Sequence, residues 1–263
     1  KQSKNGVYHQ TTLFSSPLHK QHEGSADKST RSAIQNMIRN SKKKEIVRIN
    51  AELEESKLDS DSNSDKDGEF NSAVVRLKNW LQHKELDIYL GGKHQDFYTH
   101  VVDRYDTLNV IPQYDKKSKT GFLLGIPGPE IMGGVLRDGG ARSIVVCMDP
   151  TSGGVTADEF ARFARDQQRA RTMIPGPIPI IWHDFIIDNI QISRAAANGA
   201  AAITIYPDLL NGDKNSIKEL ILFCNENNME PIVMCSDKKS VDVAIETGGR
   251  FVVLHNLNNQ EMI

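Results

Sequence analysis

From Gly121 onward the chain alternates short apolar runs with amphipathic stretches. The runs are Phe122 to Ile126, Ser143 to Met148, Ile178 to Trp182, Ala201 to Tyr206, Pro231 to Cys235 and Phe251 to His255. They are apolar throughout rather than alternating, as expected of parallel strands covered on both faces. Their spacing of about 20 to 35 residues is that of β/α units, so six strands alternating with helices are predicted. Local chemistry marks the helix ends. Thr156 with Glu159, and Ser216 with Glu219, fit a capping box, in which hydroxyl and carboxylate satisfy opposite orphan amides. Gly199 and Gly248 follow helical stretches, where a left-handed residue closes the last turn. Ile217, Leu220, Ile221 and Cys224 share one helical face, as in a helix packed outside a sheet.

Upstream the pattern differs. Ser32 to Glu55 has the composition of an exposed helix with a small apolar stripe of Ile34, Met37 and Ile38, and Lys42-Lys43-Lys44 reads as its solvated face. Phe70, Ala73, Val74, Leu77, Trp80 and Leu81 recur at helical spacing, which predicts a helix with one packed face. Phe97, Val101, Val102 and Tyr105 predict another. Lys57 to Gly68, centred on Asp-Ser-Asp-Ser-Asn-Ser-Asp, holds too little apolar surface to fold and reads as a linker. The organisation expected is a polar arm, helix and acidic linker over 1–69, a helical lead-in over 70–120, and β/α units over 121–263.

Composition narrows the class. With 263 residues, 38% hydrophobic and 25% charged, the chain is long enough for a substantial core. No apolar run approaches the roughly 18 residues a membrane-crossing helix needs, which leaves only peripheral membrane contact. A formal charge of −2 gives no drive toward nucleic acid. Cys147, Cys224 and Cys235 are widely spaced in apolar surroundings, so buried reduced thiols are expected and neither a metal nor a redox pair. The chain starts at Lys1, and residues 1–30 are polar and acid-poor. A trimmed organelle-targeting segment and an incomplete terminus both account for this, with the composition favouring the first.

His183-Asp-Phe-Ile-Ile-Asp188 after the third run, Gly199-Ala-Ala-Ala-Ile203 before the fourth, and Asp149-x-x-Ser-Gly-Gly154 after the second resemble the indole-3-glycerol-phosphate synthase family. Leu254-His-Asn256 is a weaker match. The resemblance implies a (β/α)8 TIM barrel with an N-terminal helical extension, six units of which are visible here with the C-terminal part incomplete. It also implies decarboxylating ring closure in tryptophan biosynthesis, on a sugar-phosphate ligand and without a cofactor. Such closure needs a general acid and a carboxylate partner. Aligned with the family's first-strand glutamate and lysine are Gly125 and Pro127. His183 stands where the family has its acidic lysine, Met234 where it has a glutamate, and His255-Asn256 where it has an asparagine pair.

Each residue has a plainer reading. His183 is a candidate acid, or a strand-end histidine bonded to Asp184 or backbone. Asp149 is a candidate site residue at a strand exit, or a turn former. Asn256 is a candidate polar group at the site. Asp188 is expected to cap a helix. Gly133-Gly134 and Gly139-Gly140 fit no phosphate-loop pattern and are assigned to packing and helix termination. Trp80 and Trp182 are assigned to the core. The expectation is a non-catalytic structural or interaction subunit in a plastid assembly, with a protein partner covering the barrel's sheet edges and ordering the N-terminal arm. The alternative is an active synthase with His183 as general acid.

Overall fold

The computed structural model describes residues 28–58, 72–82, 97–102, 109–118, 121–122, 126–150 and 153–255. Its centre is a six-stranded parallel sheet of β1 (Gln113–Tyr114), β4 (Ile144–Cys147), β5 (Ile180–His183), β6 (Ala202–Ile205), β7 (Glu230–Cys235) and β8 (Phe251–Leu254), in that order. A two-stranded antiparallel hairpin, β2 (Lys117–Ser118) with β3 (Gly121–Phe122), follows β1. Helices α4 (Pro129–Asp138), α5 (Ala157–Arg169), α6 (Asn189–Ala197), α7 (Lys214–Glu226) and α8 (Lys238–Glu246) connect the sheet strands. Sequential parallel pairing through helical crossovers is the wound β/α arrangement, and here it makes an incomplete TIM barrel.

Period-two geometry sorts the strand side chains into two cores. Ile144, Val146, Ile180, Trp182, Ile203, Ile205, Val233 and Cys235 point outward and pack under the helices with Phe160, Phe163, Ile192, Ile217 and Leu220. Val145, Ile181, Ala202, Ile232, Met234 and Val253 form a separate inner cluster, joined by Phe185 and Tyr206. Every residue of β4 to β7 is buried, which is why these strands read as unbroken apolar runs.

Three helices precede the sheet: α1 (Lys28–Leu58), α2 (Ala73–Gln82) and α3 (Phe97–Val102). α3 sends Phe97 and Val101 into the inner cluster, and the Phe97 ring meets Phe251 edge-on at 5.0 Å. α1 and α2 pack through Ile49, Leu53 and Leu77 on Ala197 of α6. The acidic linker beyond Leu58, Phe70, Tyr105, Asn256 and residues 1–27 lie outside the described residues.

Four expectations change. The sheet begins at Gln113–Tyr114, and Gly121–Phe122 belongs to the hairpin instead of opening a strand that runs to Ile126. Pro112 hid the true strand. Pro cannot donate to a ladder, but at an edge its carbonyl still accepts from Val145 N at 2.9 Å. α7 is capped by Asp213, whose carboxylate accepts from the Asn215 and Ser216 amides, so Ser216 lies inside the helix rather than at its cap. On α1, Met37 is 71% exposed and Lys42 only 2% exposed, against expectation at those two positions, whereas Ile38 packs on the inner cluster and Lys43 and Lys44 are exposed as expected. On α2, Leu81 is exposed and Arg76 is buried, held by Asn198 Oδ1 and Asp158 Oδ1, each at 2.8 Å.

Other details agree with the sequence. Thr156–Glu159 is a capping box, and Asp188 caps α6 with Gln191 as its reciprocal partner. Gly199 and Gly248 adopt φ of 89° and 90°. Gly133 lies in α4, where a Cβ would come 2.6 Å from Asp166 Oδ2, and Gly139 caps that helix. All three cysteines are free and buried. Trp182 is buried in the outer core, and Trp80 packs at its edge with Nε1 donating to Asn227 Oδ1 at 3.3 Å.

Candidate functional site

The inward faces continue past the carboxyl ends of the strands, where β/α barrels carry their sites. Two residues beyond Val145 and Ile181 come Cys147 and His183. One further step along brings Asp149 after β4, Tyr206 after β6 and His255 after β8. Asp115 follows Gln113 on the same face of β1, and Gln113 Nε2 donates to Asp115 Oδ2 at 2.7 Å. The mouth therefore gathers Asp115, Cys147, Asp149, His183, Asp184, Tyr206 and His255.

His183 is 5% exposed, and the Tyr206 hydroxyl lies 3.4 Å from its Nε2. The Tyr206 ring in turn sits edge-on to His255 at 5.7 Å. Burial, aided by the neighbouring His255 and opposed by Asp149, lowers the His183 pKa to about 4. The imidazole is thus neutral near physiological pH. Its partner is Tyr206 rather than Asp184: Asp184 is committed elsewhere, accepting from the Phe185 amide at 2.8 Å and from a lysine.

That lysine is Lys42 of α1. Its ammonium lies 2.5 Å from Asp184 Oδ1, 3.0 Å from Glu45 Oε2 and 3.8 Å from Asp149 Oδ1. Burial pulls the Lys42 pKa down, but the carboxylates of Asp184, Glu45 and Asp149 outweigh it and the net shift is upward. Burial raises Asp184, with Lys42 opposing. Glu45 passes the network outward to Arg194 of α6 at 2.9 Å. Beside Lys42, Arg39 donates to the Leu209 and Asp208 carbonyls and to Asn211 Oδ1, on the 3-10 turn Pro207–Leu210 after β6.

Burial raises Asp115, against hydrogen bonds from Gln113 and Cys147, and its Oδ1 has no hydrogen-bond partner among the described residues. Burial, then the charge of Asp115, pushes the Cys147 thiol up, so it stays protonated and inert. Tyr206 is likewise pushed up by burial. The Asp149 carbonyl accepts from the Gly154 amide at 2.9 Å.

Of the residues singled out from sequence, His183, Asp149 and Met234 reach the mouth or the inner face that leads to it. Asn256 and Gly125 are outside the described residues, and Pro127 lies exposed in the segment before α4. With β1 at Gln113–Tyr114, the first-strand positions facing inward are Gln113 and Asp115, so the comparison at Gly125 and Pro127 rested on the wrong strand. Lys42, Asp115 and Tyr206 were missed. The spacing Arg39, Lys42, Glu45, Ile49, Leu53 is a helical stripe that could have exposed Lys42, had charged residues been counted on a packed face.

The fold class is that of the (β/α)8 barrels, with the polar residues at the carboxyl ends of the strands. The sequence model of indole-3-glycerol phosphate synthase matches residues 68–262, and the chain belongs to that family. Among relatives, an indole-3-glycerol phosphate synthase of Bacillus thuringiensis is 37% identical over 93 residues, 35% of each chain. One from Bacillus cereus is 32% identical over 125 residues, 48% of this chain and 45% of its own. One from Methanothermobacter marburgensis is 35% identical over 85 residues, 31% of this chain and 28% of its own. The chain thus spans less than half the length of these relatives. Among the described residues no cluster of His, Cys, Asp and Glu is arranged to hold a metal, and no helix is long and apolar enough to cross a membrane.

Proposed function

We propose that this chain is a non-catalytic member of its family, serving as a structural or interaction subunit of a larger assembly. The observation that carries this reading is Met234. It is 3% exposed and shares the inner face of β7 with Ile232, at the place where the resemblance calls for a carboxylate. A thioether neither accepts nor delivers a proton at neutral pH. The other half of the pair is weakened too. His183 titrates at about 4, so near neutral pH it carries no imidazolium proton to give. Asp115, on the inner face of β1, supplies no cation to receive an anionic sugar phosphate.

The interaction role draws on the sheet edges. β1 pairs only with β4, and β8 only with β7, among the described residues. A protein partner packed along these two strands is the interaction this reading assigns. The acid-poor, hydroxyl-rich composition of residues 1–30 favours a plastid setting.

Purified protein assayed with the carboxyphenylamino-deoxyribulose phosphate substrate should show no turnover above buffer, and the native protein should co-purify in a stoichiometric complex. Turnover that disappears in His183→Ala would establish the alternative, an active synthase with His183 as its acid. One observation favours that alternative: His183 keeps its inward position at the end of β5, within reach of the Tyr206 hydroxyl.

A further inference from the structure

The two halves of α1 are fastened differently. Toward the carboxyl end, Ile49 and Leu53 are buried against Leu77 of α2 and Ala197 of α6, an apolar anchor. Toward the amino end the fastening is mostly ionic: Lys42 on Asp184 and Asp149, Glu45 on Arg194, and Arg39 on the turn after β6. Ile38 adds a partly buried apolar contact with the inner cluster. Met37 and Val47 face solvent and hold nothing.

The two kinds of fastening respond differently to water. Opening an apolar contact loses its burial outright. Opening a buried ion pair returns both charges to solvent, and the recovered hydration offsets most of the lost attraction. A helix held by apolar contacts at one end and charges at the other is therefore built to swing from the charged end.

We propose that α1 is a latch: the Lys42 ammonium occupies the mouth of the barrel as an internal ligand, and the carboxylates of Asp184 and Asp149 become accessible when the amino-terminal half of α1 lifts about its Ile49–Leu53 anchor. The groups facing Lys42 are Asp184 after β5, Asp149 after β4 and Glu45 on its own helix. The mouth so closed admits a competing cation, a primary ammonium or guanidinium, in preference to a phosphate or carboxylate. The latch stands whether the mouth is catalytic or not, because it concerns access and not chemistry.

Hydrogen exchange and thiol labelling of the intact chain test this together. Cys147 reports on the mouth, whereas Cys224 on α7 and Cys235 on β7 are buried in the outer core. In the wild-type protein, amides of α1 around Arg39 to Glu45 should exchange well before those of β5 and β6. Lys42→Met strands Asp184 when the latch is closed. It should raise α1 exchange and Cys147 labelling by on the order of a hundredfold, leaving Cys224 and Cys235 protected. Arg39→Ala, a milder change at a partly exposed site, should move the same two signals in the same direction, and it decides the matter if Lys42→Met fails to fold. The proposal is overturned if α1 is as protected as β5 in the wild type, or if Cys147 is labelled only in step with Cys224 and Cys235.

Discussion

Lys42 Nζ on α1 lies 2.5 Å from Asp184 Oδ1 at the end of β5, and both side chains are almost wholly buried. Removing one member of such a pair leaves the other charge without water or partner, which costs about 3–5 kcal/mol. Lys42→Met should therefore lower unfolding stability by that order in urea titration. In Lys42→Met/Asp184→Asn the stranded charge is gone, and the amide oxygen can still accept from Phe185 N, so the double variant should be clearly more stable than Lys42→Met alone. A double variant at least as unstable as the sum of the singles would show that the two residues do not act as a pair.

His183 predicts a pH dependence with a definite sign. Its pKa is about 4 in the folded protein against 6.5 for the ordinary side chain. Between those values the unfolded chain takes up a proton that the folded chain refuses, so acid favours unfolding as the pH falls from 6.5 to 4. Above that window His183 contributes no slope. The full effect is of order 3 kcal/mol. Asp184, raised by burial, binds its proton more readily when folded and pulls the other way in part of the same window. The quantity to measure is therefore the difference between wild type and His183→Asn, which should shrink steadily from pH 7 to pH 4.

The barrel was legible in the sequence because burial on both faces gives strands a single unbroken signal, as in Ile144–Cys147 and Ile180–His183. Gln113–Tyr114 was not, because a two-residue edge strand beginning after a proline gives no apolar run at all. The same weakness moved the first-strand site comparison onto Gly125 and Pro127. The resemblance put His183 at the end of a strand and Met234 on another, and the structure has His183 ending β5 and Met234 in the inner cluster. Lys42 and Arg76 were illegible for a different reason. Their burial depends on carboxylates and amides more than 80 residues away in the chain, and periodicity counts charge as exposure.

Gly154 separates steric demand from backbone demand. A Cβ there would lie 2.4 Å from the Met148 carbonyl carbon and 2.6 Å from Asp149 N, both backbone atoms that cannot swing aside. Gly140 poses the opposite case, with φ of 85° and nothing within 4 Å of where a Cβ would sit. Gly140→Ala should cost about 1 kcal/mol of left-handed strain. Gly154→Ala should cost well beyond about 2 kcal/mol and displace the loop that positions Asp149. Thermal unfolding of both variants checks the order, and equal losses would mean that the loop relaxes around the methyl.

Trp182 carries a buried indole N–H with no hydrogen-bond partner among the described residues, and its ring lies 4.8 Å from that of Phe160. An unsatisfied buried donor costs about 1–3 kcal/mol, a penalty that disappears when the donor is removed. Trp182→Phe keeps an aromatic ring against Phe160 and deletes the N–H, so the loss of packing volume is largely offset. Its net effect should stay within about 1.5 kcal/mol in either direction. Phe160→Ala, which empties the neighbouring space and relieves no polar group, should cost about 3–5 kcal/mol. Chemical denaturation of the two variants measures the contrast. A loss for Trp182→Phe as large as that for Phe160→Ala would mean that the indole N–H is satisfied in solution, by a buried water between the sheet and α5.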